Sequence, residues 1–193
     1  MADNAGKPIR AFVALPLPGS VRDEIRRAQE ALKVHRFRIR WVRPESIHLT
    51  LKFLGDVSPM DIDRIQTALT QAAAGSGALT LCTKGFGAFP NLRKPRVLWV
   101  GVSGDIDGLF SCQQRVENEL AQIGFPAESR RFKAHLTIGR SKGSVRGERL
   151  MEAFEALPDF QSPHFTADTI ILYQSQLEPR GAVYTKLRTI SLS

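Results

Sequence analysis

Two of the four histidines in this chain stand in the same tetrapeptide: His48-Leu49-Thr50-Leu51 recurs as His135-Leu136-Thr137-Ile138. On an extended strand, side chains two apart share a face. Each copy would therefore present an imidazole beside a hydroxyl, with Leu49 or Leu136 turned the other way into a core. Such pairs suit phosphoryl chemistry. An imidazole with an ordinary pKa of roughly 6.5 has both protonation states accessible near neutrality. One neutral imidazole can take a proton from an attacking water, and one imidazolium can deliver a proton to a leaving oxygen. Each well-placed group of this kind contributes about 10²- to 10⁴-fold. The hydroxyls of Thr50 and Thr137 can donate to non-bridging phosphate oxygens. No metal and no cofactor is needed for this chemistry. Zinc is a weaker rival, because no third ligand stands near either copy and the spacing is not the i, i+4 spacing of helical zinc sites.

The elements that must position these groups can be read along the chain. A short apolar run, Ile9 to Leu15, ends at Pro16 and reads as a buried strand. Ser20 opens a helix, with Asp23 in the capping-box position and Val21, Ile25, Ala28 and Leu32 at helical spacing. Strands are expected over 39–42 and 47–53, with a turn at 43–46 between them. A second helix starts at Ser58, with Pro59 at its first position, and ends at Gly75-Ser76-Gly77. Further strands are expected at 79–83 and 96–102, then a helix over 105–123 stopped by Gly124. A strand over 132–138, a helix over 146–157 and strands over 165–173 and 182–190 complete the chain. Short strands that often follow one another directly favour α+β over a doubly wound sheet.

Composition sets the frame. The chain has 193 residues, 42% hydrophobic and 24% charged, which is ordinary for a globular protein. No Pro-, Gly- or Ser-rich linker divides it, so residues 1–193 are expected to form a single compact unit. If its halves pack about an approximate two-fold axis, the two motifs face one another across a cleft. The net charge of +8 favours polyanionic partners such as nucleic acid. No apolar run reaches the ~18 residues that span a bilayer. The stretch Met1 to Arg10 has an early acid and no leader-like hydrophobic core. A cytoplasmic, monomeric protein without membrane attachment is expected. Cys82 and Cys112, without CxxC spacing, read as free thiols.

Around these motifs the sequence resembles the RNA 2′,3′-cyclic phosphodiesterases, historically called 2′-5′ RNA ligases, of the two-histidine (2H) phosphoesterase superfamily. The resemblance runs through Phe12 to Leu17, Arg40 to Gly55, Gly87 to Pro90, Val97 to Gly101, Phe132 to Arg140, Leu172 to Leu177 and Gly181 to Tyr184. It implies a bilobed α+β fold of two mostly antiparallel sheets with outer helices and a central cleft. It implies His48 as proton donor and His135 as proton acceptor, with Thr50 and Thr137 as phosphate contacts. The implied substrate is RNA with 2′,3′-cyclic phosphate ends, tRNA fragments among them, opened to a 2′-phosphate. It also implies ATP-independent 2′-5′ joining as the reverse reaction. Ala134 stands where the family more usually has proline, and Ile138-Gly139-Arg140 replaces a leucine-small-Arg run.

Other residues have two readings. Arg140 could reach a phosphate or cap its strand in solvent. Phe12 and Phe89 could stack on a base, with core packing the alternative for Phe12. The basic run Asn91 to Arg96 could follow an RNA backbone or remain a solvated loop. Trp41 and Trp99 read as core residues, and His35 and His164 are assigned no role. Two other functions stay open: an RNA-binding module that does not turn over, and the same chemistry on a small cyclic nucleotide.

Overall fold

The computed structural model describes residues 6–157, 160–178 and 181–193. The leader expectation over Met1 to Arg10 falls partly outside the described residues. In chain order the elements are β1 (Ile9–Leu15), α1 (Gly19–Lys33), β2 (Ile39–Trp41), β3 (Leu49–Val57), α2 (Ile62–Ala73), β4 (Leu79–Phe89) and β5 (Val97–Gly104). They continue with α3 (Ile106–Gln122), β6 (His135–Ser141), α4 (Gly147–Glu155), β7 (Phe165–Ala167), β8 (Thr169–Glu178) and β9 (Gly181–Ser191). The strands make two antiparallel sheets, ordered β3-β1-β8-β9 and β2-β6-β5-β4-β7. This is the expected α+β architecture.

The apolar stripes of the helices cover the inner faces of these sheets. Val21, Ile25 and Leu32 of α1, Ile65 and Leu69 of α2, and Leu109, Val116 and Leu120 of α3 are all buried. With Leu49, Leu98, Leu136 and Leu172 they form one continuous hydrophobic cluster fed by both sheets. Leu49 and Leu136, the residues between His and Thr in each motif, are 1% and 0% exposed. Both cysteines are free and buried. Among the described residues, no helix is long and apolar enough to cross a membrane.

Several boundaries differ from the sequence reading. α1 starts at Gly19 behind Pro18, with no side-chain cap, and Asp23 instead pairs with Arg26 at 2.5 Å. Ser58 does cap, but it caps a 3₁₀ turn over Pro59–Asp61 by accepting from the Met60 N–H, and α2 begins only at Ile62. β3 begins at Leu49, one residue past His48, because a 3₁₀ turn occupies Pro44–Ser46. β6 begins at His135 rather than Phe132. Its ladder with β5 starts at the Gly101–His135 pair, so the residues before it have no partner strand there.

Candidate active site

Each histidine is held by the same short device. His48 Nδ1 lies 2.9 Å from Ser46 O, and His135 Nδ1 lies 2.6 Å from Lys133 O. The acceptor is in both cases the carbonyl two residues earlier. A carbonyl can only accept, so Nδ1 carries the proton and Nε2 is left to face a substrate. Thr50 and Thr137 follow, half-buried, and among the described residues neither hydroxyl makes a hydrogen bond. These are donors left available to an anion.

The strands repeat a second device. In the β1–β3 ladder, Ala14 pairs with Thr50 and Val13 with Lys52, so Leu51 is an extra residue. In the β5–β6 ladder, Trp99 pairs with Thr137 and Leu98 with Gly139, so Ile138 is extra. The last residue of each tetrapeptide is thus a β-bulge, which re-aims the side chains beyond it. On a regular strand Arg140 would face away from His135, five positions before it. Past the bulge it pairs with Val97, which shares a face with Trp99, and so it rejoins the face of His135 and Thr137. Phe53 rejoins the face of Thr50 in the same way, opposite Phe12. A glutamine from a helix serves each bulge. Gln29 Nε2 on α1 donates to Ile138 O at 2.9 Å and to Val42 O at 2.8 Å, and Gln113 Nε2 on α3 reaches Leu51 O at 3.4 Å.

The surroundings of the two imidazoles differ. His48 stacks on Phe12 with ring centroids 4.6 Å apart, and Tyr184 meets it edge-on at 5.1 Å. Tyr173 stacks on the other ring of that pair, Phe12, at 5.2 Å. Burial in this aromatic wall, aided slightly by the charge of His135, lowers the His48 pKa to about 4 against the pull of the Ser46 carbonyl. β3, which carries Thr50, approaches β6, which carries His135 and Thr137. A cavity of about 290 Å³ opens beside His48, lined by Arg43, Glu45, Ser46, Val183 and Tyr184.

His135 meets Phe89 edge-on at 4.8 Å and Trp99 at 6.4 Å. The Lys133 ammonium lies 4.4 Å from the Trp99 ring centroid. Burial lowers the His135 pKa, the Lys133 carbonyl opposes this, and the charges of Lys133 and Arg140 lower it further. Two further cations are added on the side of Tyr184: Arg10 and Arg43 act with Arg140 on its hydroxyl, whose pKa burial raises. Among the described residues, no three His, Cys, Asp or Glu side chains come together as a metal site.

A single phosphoesterase family profile, the LigT-like phosphoesterases, matches the chain twice, over residues 15–99 and again over 100–184. The chain belongs to the LigT-like phosphoesterase family. Each matched half carries one His-x-Thr motif. A Methanothermobacter thermautotrophicus protein named RNA 2′,3′-cyclic phosphodiesterase is 33% identical, over 95% of this chain and 99% of its own length. A Thermotoga maritima protein of the same name is 34% identical over 93% of each. In fold, a crystal structure from Thermus thermophilus superposes with a TM-score of 0.80 at 24% identity, over 95% of this chain and 98% of that one.

Within this LigT-like phosphoesterase, Thr50 shares a sheet face with Phe12, on which His48 stacks; His135, Thr137 and Arg140 share a face of the other sheet, and half-buried Phe89 borders His135. Phe12 does not offer a base its ring. It is 2% exposed and backs His48, so it shapes the imidazole rather than stacking on substrate. Trp99 is also displaced from its sequence reading: it lies over Gly87, where any Cβ would collide with the indole, and it faces His135. Trp41 is half-buried against the hydrophobic core. The run 91–96 keeps to a loop, where Asn91 Oδ1 accepts from the Arg93 and Lys94 N–H groups. Sequence reasoning missed Tyr173, Tyr184, Gln29 and Gln113 as neighbours of the motifs. No periodicity marks them, since each reaches its motif from a distant element, whereas Lys133 stands only two residues before His135.

Proposed function

We propose that this chain hydrolyses 2′,3′-cyclic phosphodiester ends of RNA to 2′-phosphates by metal-independent acid–base catalysis. The observation that carries the reading is the pair of Nδ1-anchored imidazoles, each beside an unbonded threonine hydroxyl in a cationic surround. The names of the relatives support RNA as the substrate. Water attacks phosphorus as its proton passes to one imidazole. The P–O3′ bond breaks, and the other imidazole protonates O3′. Thr50, Thr137 and Arg140 hold the non-bridging oxygens as charge builds there.

The surroundings suggest which histidine does which. Lys133 and Arg140 oppose a proton on His135, which suits it to the acceptor role. His48 is neutral in the free protein at pH 7. An arriving phosphate anion, the Ser46 carbonyl and the π face of Phe12 all favour its imidazolium, which suits it to the donor role. The same transfers, with a 5′-hydroxyl attacking in place of water as the P–O3′ bond breaks, would join ends by a 2′-5′ bond without ATP, and their reversal would cut that bond. Phe89 is the aromatic left to border a base. The two sheets would act as one bilobed catalytic unit.

The test uses an oligonucleotide ending in 2′,3′-cyclic phosphate, with EDTA present and product ends identified. Turnover to a 2′-phosphate is expected, with His48→Ala and His135→Ala each lowering kcat about 10²- to 10⁴-fold. Full activity in either variant, or none in the parent protein, would sink the proposal. Binding of RNA without turnover, indifferent to end chemistry, would favour a binding module.

A further inference from the structure

Among the described residues, the most deeply buried charges lie outside the two His-x-Thr motifs. Lys52 on β3 is 2% exposed, and Glu117 on α3 is 4% exposed. The Lys52 ammonium donates to Glu117 Oε2 and, at 2.7 Å, to Pro126 O. Glu117 Oε2 also accepts from the Glu128 N–H at 3.2 Å. Gln113 Nε2 donates to Glu117 Oε1 at 3.1 Å and reaches Leu51 O. The network thus joins the strand that follows His48 and Thr50 to the start of the loop 126–134, whose far end is His135. The face of this loop toward α3 is loosely filled. A cavity of about 410 Å³ lies between Phe110, Gln113 and Glu117 on α3 and 127–132 on the loop. Phe132 and Ala134 pack against the core at the far end of the loop, whereas its first residues are fastened by two hydrogen bonds that both end on the ion pair.

The second motif shows that the strand does not need this lysine. The residue four past His48 is Lys52, and the residue four past His135 is Gly139, yet both strands make the same bulge. The charge at Lys52 serves something other than the local strand. A buried pair is also a poor way to gain stability, since apolar residues of similar volume often do as well.

We propose that Lys52 and Glu117 are positioning residues that set the register between the two motifs, by tying the loop that delivers His135 to the strand that carries Thr50. The proposal rests on the reading of this site as a cyclic phosphodiesterase. Its test compares two double variants with the parent chain. Lys52→Met/Glu117→Met removes both charges while keeping volume, and leaves Pro126 O and Glu128 N–H without partners. It is expected to melt within a few degrees of the parent, with kcat on a 2′,3′-cyclic nucleotide about 10- to 100-fold lower and KM little changed. Lys52→Met/Glu117→Gln keeps an acceptor for the Glu128 N–H and is expected to recover part of that kcat at a similar melting temperature. Parent-like kcat in the first variant overturns the proposal, as does loss of the cooperative fold in both, which would mark the pair as structural. Should the parent itself fail to turn over, the functional reading falls and this one is still decided. Inorganic phosphate, followed through the C2–H signals of His48 and His135, should then move both signals in the parent but only one of them in the first variant, at similar affinity. Movement of both signals in that variant overturns the proposal.

Discussion

The two motifs share a backbone and differ in many of the side chains that surround their imidazoles. In both, a carbonyl two residues back holds Nδ1, the fourth residue bulges, and a buried glutamine from a helix reaches the bulged carbonyl. Around His48 the neighbours are Phe12, Tyr173 and Tyr184. Around His135 they include Lys133 and Arg140. Past the bulge the first motif turns Phe53 to the site face, and the second turns Arg140. A duplicated tetrapeptide thus supplies two equivalent imidazoles, and they are made unequal by remote strands around His48 and by the flanking cations Lys133 and Arg140 at His135. Acid–base catalysis by two histidines requires that inequality, because one must hold a proton while the other lacks it.

The largest effect that would break the comparison is in stability against pH. An unfolded His48 takes its proton near pH 6.5, whereas the folded one takes it near 4. Between those values the unfolded chain binds more protons, so stability rises with pH across the window. The His48 contribution is fully present above pH 6.5 and is lost as pH falls toward 4, by up to about 3 kcal/mol at 1.36 kcal/mol per pKa unit. Denaturant unfolding of the parent and His48→Gln at pH 7.0 and 4.5 should show the variant less acid-sensitive. Equal pH slopes would mean His48 is not held neutral by burial.

The glutamines provide the next test. Gln29→Leu leaves Val42 O without its donor and Ile138 O with the Val42 N–H alone. A loss on the order of 1–3 kcal/mol in unfolding free energy is expected. Gln113→Leu gives up a longer bond to Leu51 O together with the donor to the buried Glu117 Oε1, so a loss of similar size is expected, and an unchanged stability in either variant would contradict the bulge account. The smallest effect is the most direct. Arg140→Met removes one cation acting on His135 and should raise its pKa, read from the C2–H signal, while His48 stays near 4. A shift in His48 instead would place Arg140 nearer the aromatic side.

The groups of the proposed chemistry were legible in the sequence because their pairing rests on local geometry. His48, Thr50, His135 and Thr137 follow from a repeated tetrapeptide, and the burial of Leu49 and Leu136 follows from period-two alternation. The alternation of elements and the helix stripes were legible for the same reason. Arg140 shows where that reading stops. Counted along a regular strand it faces away, and only pairing with β5 reveals the bulge that turns it back. Phe12 was legible as apolar but not as the wall behind His48, nor Trp99 as a neighbour of His135.

What the sequence determined by itself was the reactive groups and their order along each strand, because neighbouring covalent bonds dictate which side chains share a face. What the tertiary structure decided was the protonation bias of each imidazole and the join between the two motifs. Those depend on partners as distant as the 65 positions from Lys52 to Glu117 and the 109 from Gln29 to Ile138. Burial and Coulomb interactions act through space, so no local pattern in the chain records them.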